Sequence, residues 1–139
     1  MKTPQLNEEE GSLELGQFVH VNKRQEEGIE FFIQHPVTMD DTTMRVVVAG
    51  PDSSRRKAAQ RRYINNRIKK KKMKLDAEDI DRESKSVLAQ CIISWSGFVL
   101  NGKSLECTPE NVLMVFEQFP WIHDQIDERA NDRTDFFKS

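Results

Sequence analysis

The sequence predicts an α+β domain: an N-terminal antiparallel β-meander packed against three to four α-helices, with a small β-hairpin between the last helices. Three observations lead there. Long strand-type runs are confined to the first fifty residues, apolar residues recur at helical spacing from about residue 53 onward, and an Asn101-Gly102 pair follows the apolar run Phe98 to Leu100.

Residues 1–11 (MKTPQLNEEEG) are polar and acidic and read as a flexible leader. In LELGQFVHV, Leu13, Leu15, Phe18, Val19 and Val21 alternate weakly and Gly16 interrupts them, so a short or edge strand is expected. Gly28 to Gln34 (GIEFFIQ) is a stronger strand, rich in aromatic and β-branched residues and bounded by Gly28 and Pro36. The cluster Met39 to Thr42 makes a turn, and Thr43 to Ala49 (TMRVVVA) returns as a third strand, stopped by Gly50-Pro51. Three strands with one apolar face need a lid, which the helices downstream supply.

Asp52 or Ser53 caps the next helix, SSRRKAAQRRYINNRIKKKKMKL, whose apolar content is thin. Ala59, Tyr63 and Ile68 are the residues available to dock it, and its end from Lys69 to Lys74 is expected to fray because like charges repel at four-residue spacing. Acids from Asp76 to Asp79 then suit a helix N-terminus. Ile80, Ser84, Val87, Leu88, Cys91, Ile92 and Trp95 fall on one stripe, predicting a helix through Trp95 that Gly97 closes. Phe98 to Leu100, Asn101-Gly102 and Lys103 to Cys107 spell a hairpin with a type I′ turn, since both central residues accept positive φ. Thr108-Pro109-Glu110 starts another helix as N-cap, first-turn proline and dipole-facing acid. The Phe119-Pro120 step breaks it, and a last helix carries Trp121, Ile122, Ile126 and Ala130 on one side. The single domain therefore spans residues 12–135, with strands over about 13–49 and helices over about 53–131, and residues 136–139 form a C-terminal tail.

With 37% apolar and 32% charged residues, the 139-residue chain belongs to the globular class with a lean core. No run of about 18 apolar residues encodes a membrane helix, and the N-terminus lacks a signal-peptide core, so residence in the cytoplasm is expected. Cys91 and Cys107 read as reduced, packed thiols, and His20, His35 and His123 show no metal-ligand spacing. No cofactor is expected. Net charge is only −2, yet eleven bases and no acid lie between Arg55 and Lys74, leaving 10 bases against 23 acids elsewhere.

Each chemically suggestive cluster has a plain structural counterpart. The basic run (Arg55, Arg56, Arg61, Arg62, Arg67, Lys69, Lys70, Lys71 and Lys72 above all) has the charge for salt-sensitive phosphate contacts. Only Tyr63 interleaves it, and no nucleic-acid signature accompanies it, so docking on an acidic protein, or pairing with the chain's own acidic segments, is favoured over nucleic acid. The acids from Asp76 to Glu83 read as a solvated helix start. Nothing resembles a glycine-rich phosphate loop, a nucleophile elbow or a metalloprotease helix, and the chain is read as non-enzymatic. Trp95 and Phe116 read as core, while Trp121, just after Pro120, suits either core or an exposed groove. Phe136 and Phe137, beside charged neighbours, read as exposed contact residues.

The order of elements and several short motifs resemble the tail assembly chaperones of long-tailed bacteriophages. The resemblance covers Gly28 to Phe137. It rests on the Trp-x-Gly step of Trp95 and Gly97, the helix start Thr108-Pro109-Glu110-Asn111, the restart Pro120-Trp121-Ile122, and the ending with Asn131 and Phe136. The Arg55–Lys74 run is more basic than the family pattern requires, and the hairpin around Asn101-Gly102 is tidier. The resemblance implies a non-enzymatic role in the host cytoplasm. Such proteins keep the long tape measure protein soluble, promote polymerisation of the tail-tube protein around it, associate with themselves, and are absent from the finished virion. Many also have a frameshifted longer form, whose extension recruits the tube protein. Trp121, Ile122, Phe136 and Phe137 are the residues expected to meet a client or another copy, with the basic helix as a second surface. Two other readings stay open: a structural tail or head-completion protein retained in the virion, and a small nucleic-acid-binding regulator acting through Arg55–Lys74.

Overall fold

The computed structural model describes residues 6–7, 12–71 and 74–138. The architecture is mixed α+β, built on a three-stranded antiparallel sheet with helices against its apolar face. Leu6–Asn7 (β1) and Ser12–Leu13 (β2) form a two-residue antiparallel ladder. The rest of the expected acidic leader, and Lys72 of the basic run, lie outside the described residues.

The strand expected over Leu13–Val21 does not extend past Leu13. Leu15–Phe18 form a 3-10 turn, opened by the Gly16 N–H donating to the Glu14 carboxylate (3.0 Å), and Val19–Glu27 form helix α1. The buried residues of α1, Val21 and Gln25, are four apart, which is helical spacing. Leu13, Leu15 and Val19, whose alternation suggested a strand, are exposed.

Ile29–Gln34 (β3) and Asp41–Val48 (β4) form the expected hairpin, with Ile29 opposite Val48 and Phe31 opposite Val46. Ile29, Phe31, Ile33, Val46 and Val48 point into the core. Glu30 and Phe32 alternate outward, with Arg45 paired to Glu30 at 2.8 Å.

Ser54–Lys70 is helix α2, capped by the buried Ser53, whose hydroxyl accepts the Arg56 N–H (3.2 Å). Glu26 of α1 supplies the acid that the first turn of α2 lacks, taking the Ser54 N–H and hydroxyl at 2.7 Å each. Lys71, at φ +54, closes this helix, which is regular to Lys70. Ala77–Cys91 is helix α3, opened by a reciprocal capping box between Asp76 and Asp79.

The stripe that predicted a helix through Trp95 divides at Cys91. Ile92–Ser96 is strand β5, and it supplies the third strand of the sheet, in the order β3-β4-β5, with Val46 opposite Trp95. The meander is therefore not three consecutive strands. Ile92 and Ile93 are β-branched, and the free edge of β4 offers them a ladder that an isolated segment lacks. Gly97 has the positive φ expected of it (+77°), but it ends a strand rather than a helix.

Val99–Leu100 (β6) and Lys103–Ser104 (β7) form the predicted hairpin, with Asn101 at φ +52 and Gly102 at φ +78 as a type I′ turn requires. Pro109–Gln118 (α4) starts on Thr108 as read from the sequence, the Thr108 hydroxyl accepting the Asn111 N–H (3.2 Å). Pro120–Asn131 (α5) follows the break at Phe119. Thr134–Phe137 adds a short helix, α6, so the described residues hold six α-helices where three to four were expected.

Val87, Leu88 and Cys91 of α3, Val112, Val115 and Phe116 of α4, and Ile122, Ile126 and Ala130 of α5 join the inner face of the sheet in one core. Phe136 completes it. Its side chain is fully buried, and Phe137 packs edge-on against Phe18 with ring centroids 5.4 Å apart. The C-terminal tail expected over 136–139 is thus part of the packed domain through Phe137. Arg133 holds it there, donating two 2.7 Å hydrogen bonds to the Asp52 carboxylate, which also accepts from Gln25 Nε2 (3.1 Å).

Candidate functional site

Two of the four expected contact residues are core. Ile122 and Phe136 are buried, because α5 lays Ile122 and Ile126 on one face and the Arg133–Asp52 pair folds α6 back onto it. Phe137 is half-buried against Phe18. Trp121 remains half-exposed, and it borders an apolar cleft of about 200 Å³ with Met44, Phe98, Val99, Leu105 and Phe119.

The sequence explains that cleft step by step. The hairpin β6–β7 has too few residues to bury both of its faces, so Phe98 turns in and Val99, 62% exposed, turns out. Phe98 stacks on Trp95 with centroids 4.0 Å apart and planes 15° from parallel. The Trp95 indole N–H donates to the Leu105 carbonyl (3.0 Å), and the Leu105 N–H donates to the Phe98 carbonyl (2.8 Å). These contacts fix the hairpin at an angle to α4 and α5, and the space left between them is the cleft. Val99, Leu105, Met44 and Phe119 were not singled out from the sequence. The one available signal was the shortness of the hairpin, which leaves alternate apolar residues without cover.

The basic run is not a uniform surface. Arg67 turns toward α3 and makes a two-point ion pair with Glu83 (2.8 and 3.3 Å). Arg56 donates to the Ala130 carbonyl (3.2 Å). These two are half-buried structural groups, because α2 has few apolar residues and docks through its arginines. Arg55 and Arg62 are exposed and each bonds Gln90, the first to its carbonyl (3.3 Å) and the second to its side chain (2.6 Å). Arg61, Lys69, Lys70 and Lys71 are exposed.

Among the described residues, Asp52 has the one strongly shifted acidity. The two hydrogen bonds from the Arg133 guanidinium, helped by Gln25, lower its carboxyl to about 2. That group serves the fold. Cys91 is buried and its thiol is pushed up by burial, whereas Cys107, expected to be packed, is exposed because the chain leaves the hairpin there for Thr108. Among the described residues no three His, Cys, Asp or Glu side chains gather as a metal site, and no helix is long and apolar enough to cross a membrane.

Comparison with family models, with curated proteins and with solved structures finds no match.

Proposed function

We propose that the protein is a non-enzymatic assembly chaperone of a long-tailed bacteriophage, acting in the host cytoplasm, whose hairpin cleft takes apolar side chains of the tape measure protein. The observation that carries the reading is where the resemblance residues fall. Trp121 and Ile122 of the restart line an apolar cleft at the hairpin, Trp95 stacks on the Phe98 of its wall, and Thr108-Pro109 opens α4, which lends it Val115. A volume of about 200 Å³ suits one large aliphatic or aromatic side chain, which is how an amphipathic client helix anchors in a groove. Recruitment of the tail-tube protein is carried over from the resemblance alone.

Co-expression with the tape measure protein of the same phage tests the reading. The expected result is that the client stays in the supernatant when this chain is present. Equal precipitation with and without it overturns the proposal.

A further inference from the structure

We infer that the groove along the outer side of α2 binds the phosphodiester backbone of a nucleic-acid duplex, with Gln90 as a positioning residue for two of its arginines. The groove holds about 650 Å³ and is lined by Arg55, Lys57, Arg61 and Arg62 around Ala58, with Gln90 of α3 on one side and Glu26 of α1 by the helix start. Arg55 and Arg62 are two helical turns apart, so they share one side of α2. The Gln90 side-chain amide donates to the Ser86 carbonyl (3.3 Å), and its oxygen accepts from Arg62 (2.6 Å), while the Gln90 backbone carbonyl accepts from Arg55 (3.3 Å). One neutral residue thus holds two guanidiniums in place without cancelling their charge, and their other N–H groups can meet a phosphate. Glu26, the one acid among the described residues that line the groove, is already bonded by the Ser54 N–H and hydroxyl (2.7 Å each).

The composition of the groove selects its occupant. Pairing with the chain's own acidic segments, expected from the sequence, stops at a single contact: of the described bases from Arg55 to Lys71, only Arg67 pairs with an acid. The four bases in the groove and Lys69 to Lys71 beyond it stay exposed. An acidic protein would need an apolar centre that excludes water, and the groove offers only the methyl group of Ala58. A phosphate backbone needs cations and N–H donors alone. Among the described residues no aromatic side chain lines the groove for an unpaired base to stack on, so the ligand is double-stranded and is bound without regard to sequence. None of these residues borders the hairpin cleft, so the inference is independent of client binding.

Fluorescence anisotropy of a labelled DNA duplex of about 20 base pairs, titrated with the full chain from about 50 mM salt upward, tests this. The wild type is expected to bind in the micromolar range and to weaken with a log–log salt slope of about −3 to −4, as for about four phosphate contacts. Arg61→Gln with Arg62→Gln is expected to cost about tenfold and to make the slope shallower by about 2. Lys103→Gln with Lys138→Gln removes the same charge elsewhere and is expected to change affinity less than about twofold. Gln90→Leu keeps every charge, so it is expected to weaken binding about threefold with the slope unchanged, because only the tethering of Arg55 and Arg62 is lost. All these side chains lie outside the core, so helical circular dichroism is expected to stay the same. A wild type that does not bind overturns the inference, as does a lysine pair that weakens binding as much as the arginine pair. Polyglutamate or single-stranded oligo-dT that displaces the label better than unlabelled duplex also overturns it, and wild-type affinity in Gln90→Leu overturns the role of Gln90.

Discussion

Phe136 and Phe137 are adjacent and look alike in the sequence, yet only Phe136 is fully buried. Removing a buried phenylalanine costs both transfer and cavity energy, so Phe136→Ala is expected to lower stability by about 3–5 kcal/mol in urea denaturation. Phe137→Ala, which loses one edge contact at a half-buried position, is expected to cost clearly less. A Phe136→Ala variant as stable as the wild type contradicts the placement. Its burial was not legible because its nearest neighbours, Asp132 to Asp135 and Lys138, are polar. What draws it inward is the Arg133–Asp52 pair, whose partners are 81 residues apart. The same pair gives a pH signature. The folded carboxyl of Asp52 sits at about 2, below its ordinary value of 3.8, so its stabilisation is present above that value and is lost as pH falls through the folded one. Arg133→Ala is therefore expected to be less stable than the wild type at pH 6, with the gap narrowing steadily in melts below pH 4. A constant gap from pH 6 to pH 3 contradicts the assignment.

Among the elements, those with chemistry at their ends were readable. Ser53, Asp76 and Thr108 cap their helices, Pro120 opens α5, and Asn101-Gly102 makes its turn, because capping and turn preferences act over three or four residues. The element read wrongly was Ile92–Ser96. Val87, Leu88, Cys91, Ile92 and Trp95 keep helical spacing, and only the vacant edge of β4, more than forty residues upstream, turns the last five residues into a strand. Local periodicity carries no record of that partner. The close approach of the end of β5 to β4 depends on Gly97. A Cβ there falls 1.9 Å from the Thr43 carbonyl oxygen, at a backbone φ of +77. Gly97→Ala is expected to destabilise the domain by more than about 2 kcal/mol and to weaken the near-ultraviolet circular dichroism of the Trp95–Phe98 stack. Gly102 has nearly the same φ but open space around its Cα, so Gly102→Ala is expected to cost only about 1 kcal/mol. Equal costs at the two positions contradict that close approach.

At the scale of the whole molecule, a net charge of −2 hides two opposed surfaces, and a lean core leaves two apolar ones uncovered. The α+β class and the uneven charge were visible in the sequence, whereas Trp121 suited either core or an exposed groove. The cleft was not, because Met44, Phe98 and Phe119 come from three distant stretches of the chain that only the finished fold brings together. Ile80 shares a helical stripe with the buried Val87, Leu88 and Cys91, but α2 covers α3 only along one flank and leaves it outside. Surface lent to another polypeptide is the central claim, and Val99 is the residue on which to test it. Its side chain is 62% exposed at the cleft, so Val99→Asp places a charge where client side chains are proposed to bind without entering the core. The measurement is the soluble fraction of the phage's tape measure protein co-expressed with the Val99→Asp variant. The account predicts that the client precipitates while the variant itself stays folded and soluble; a client held in solution as well as by the wild type contradicts it.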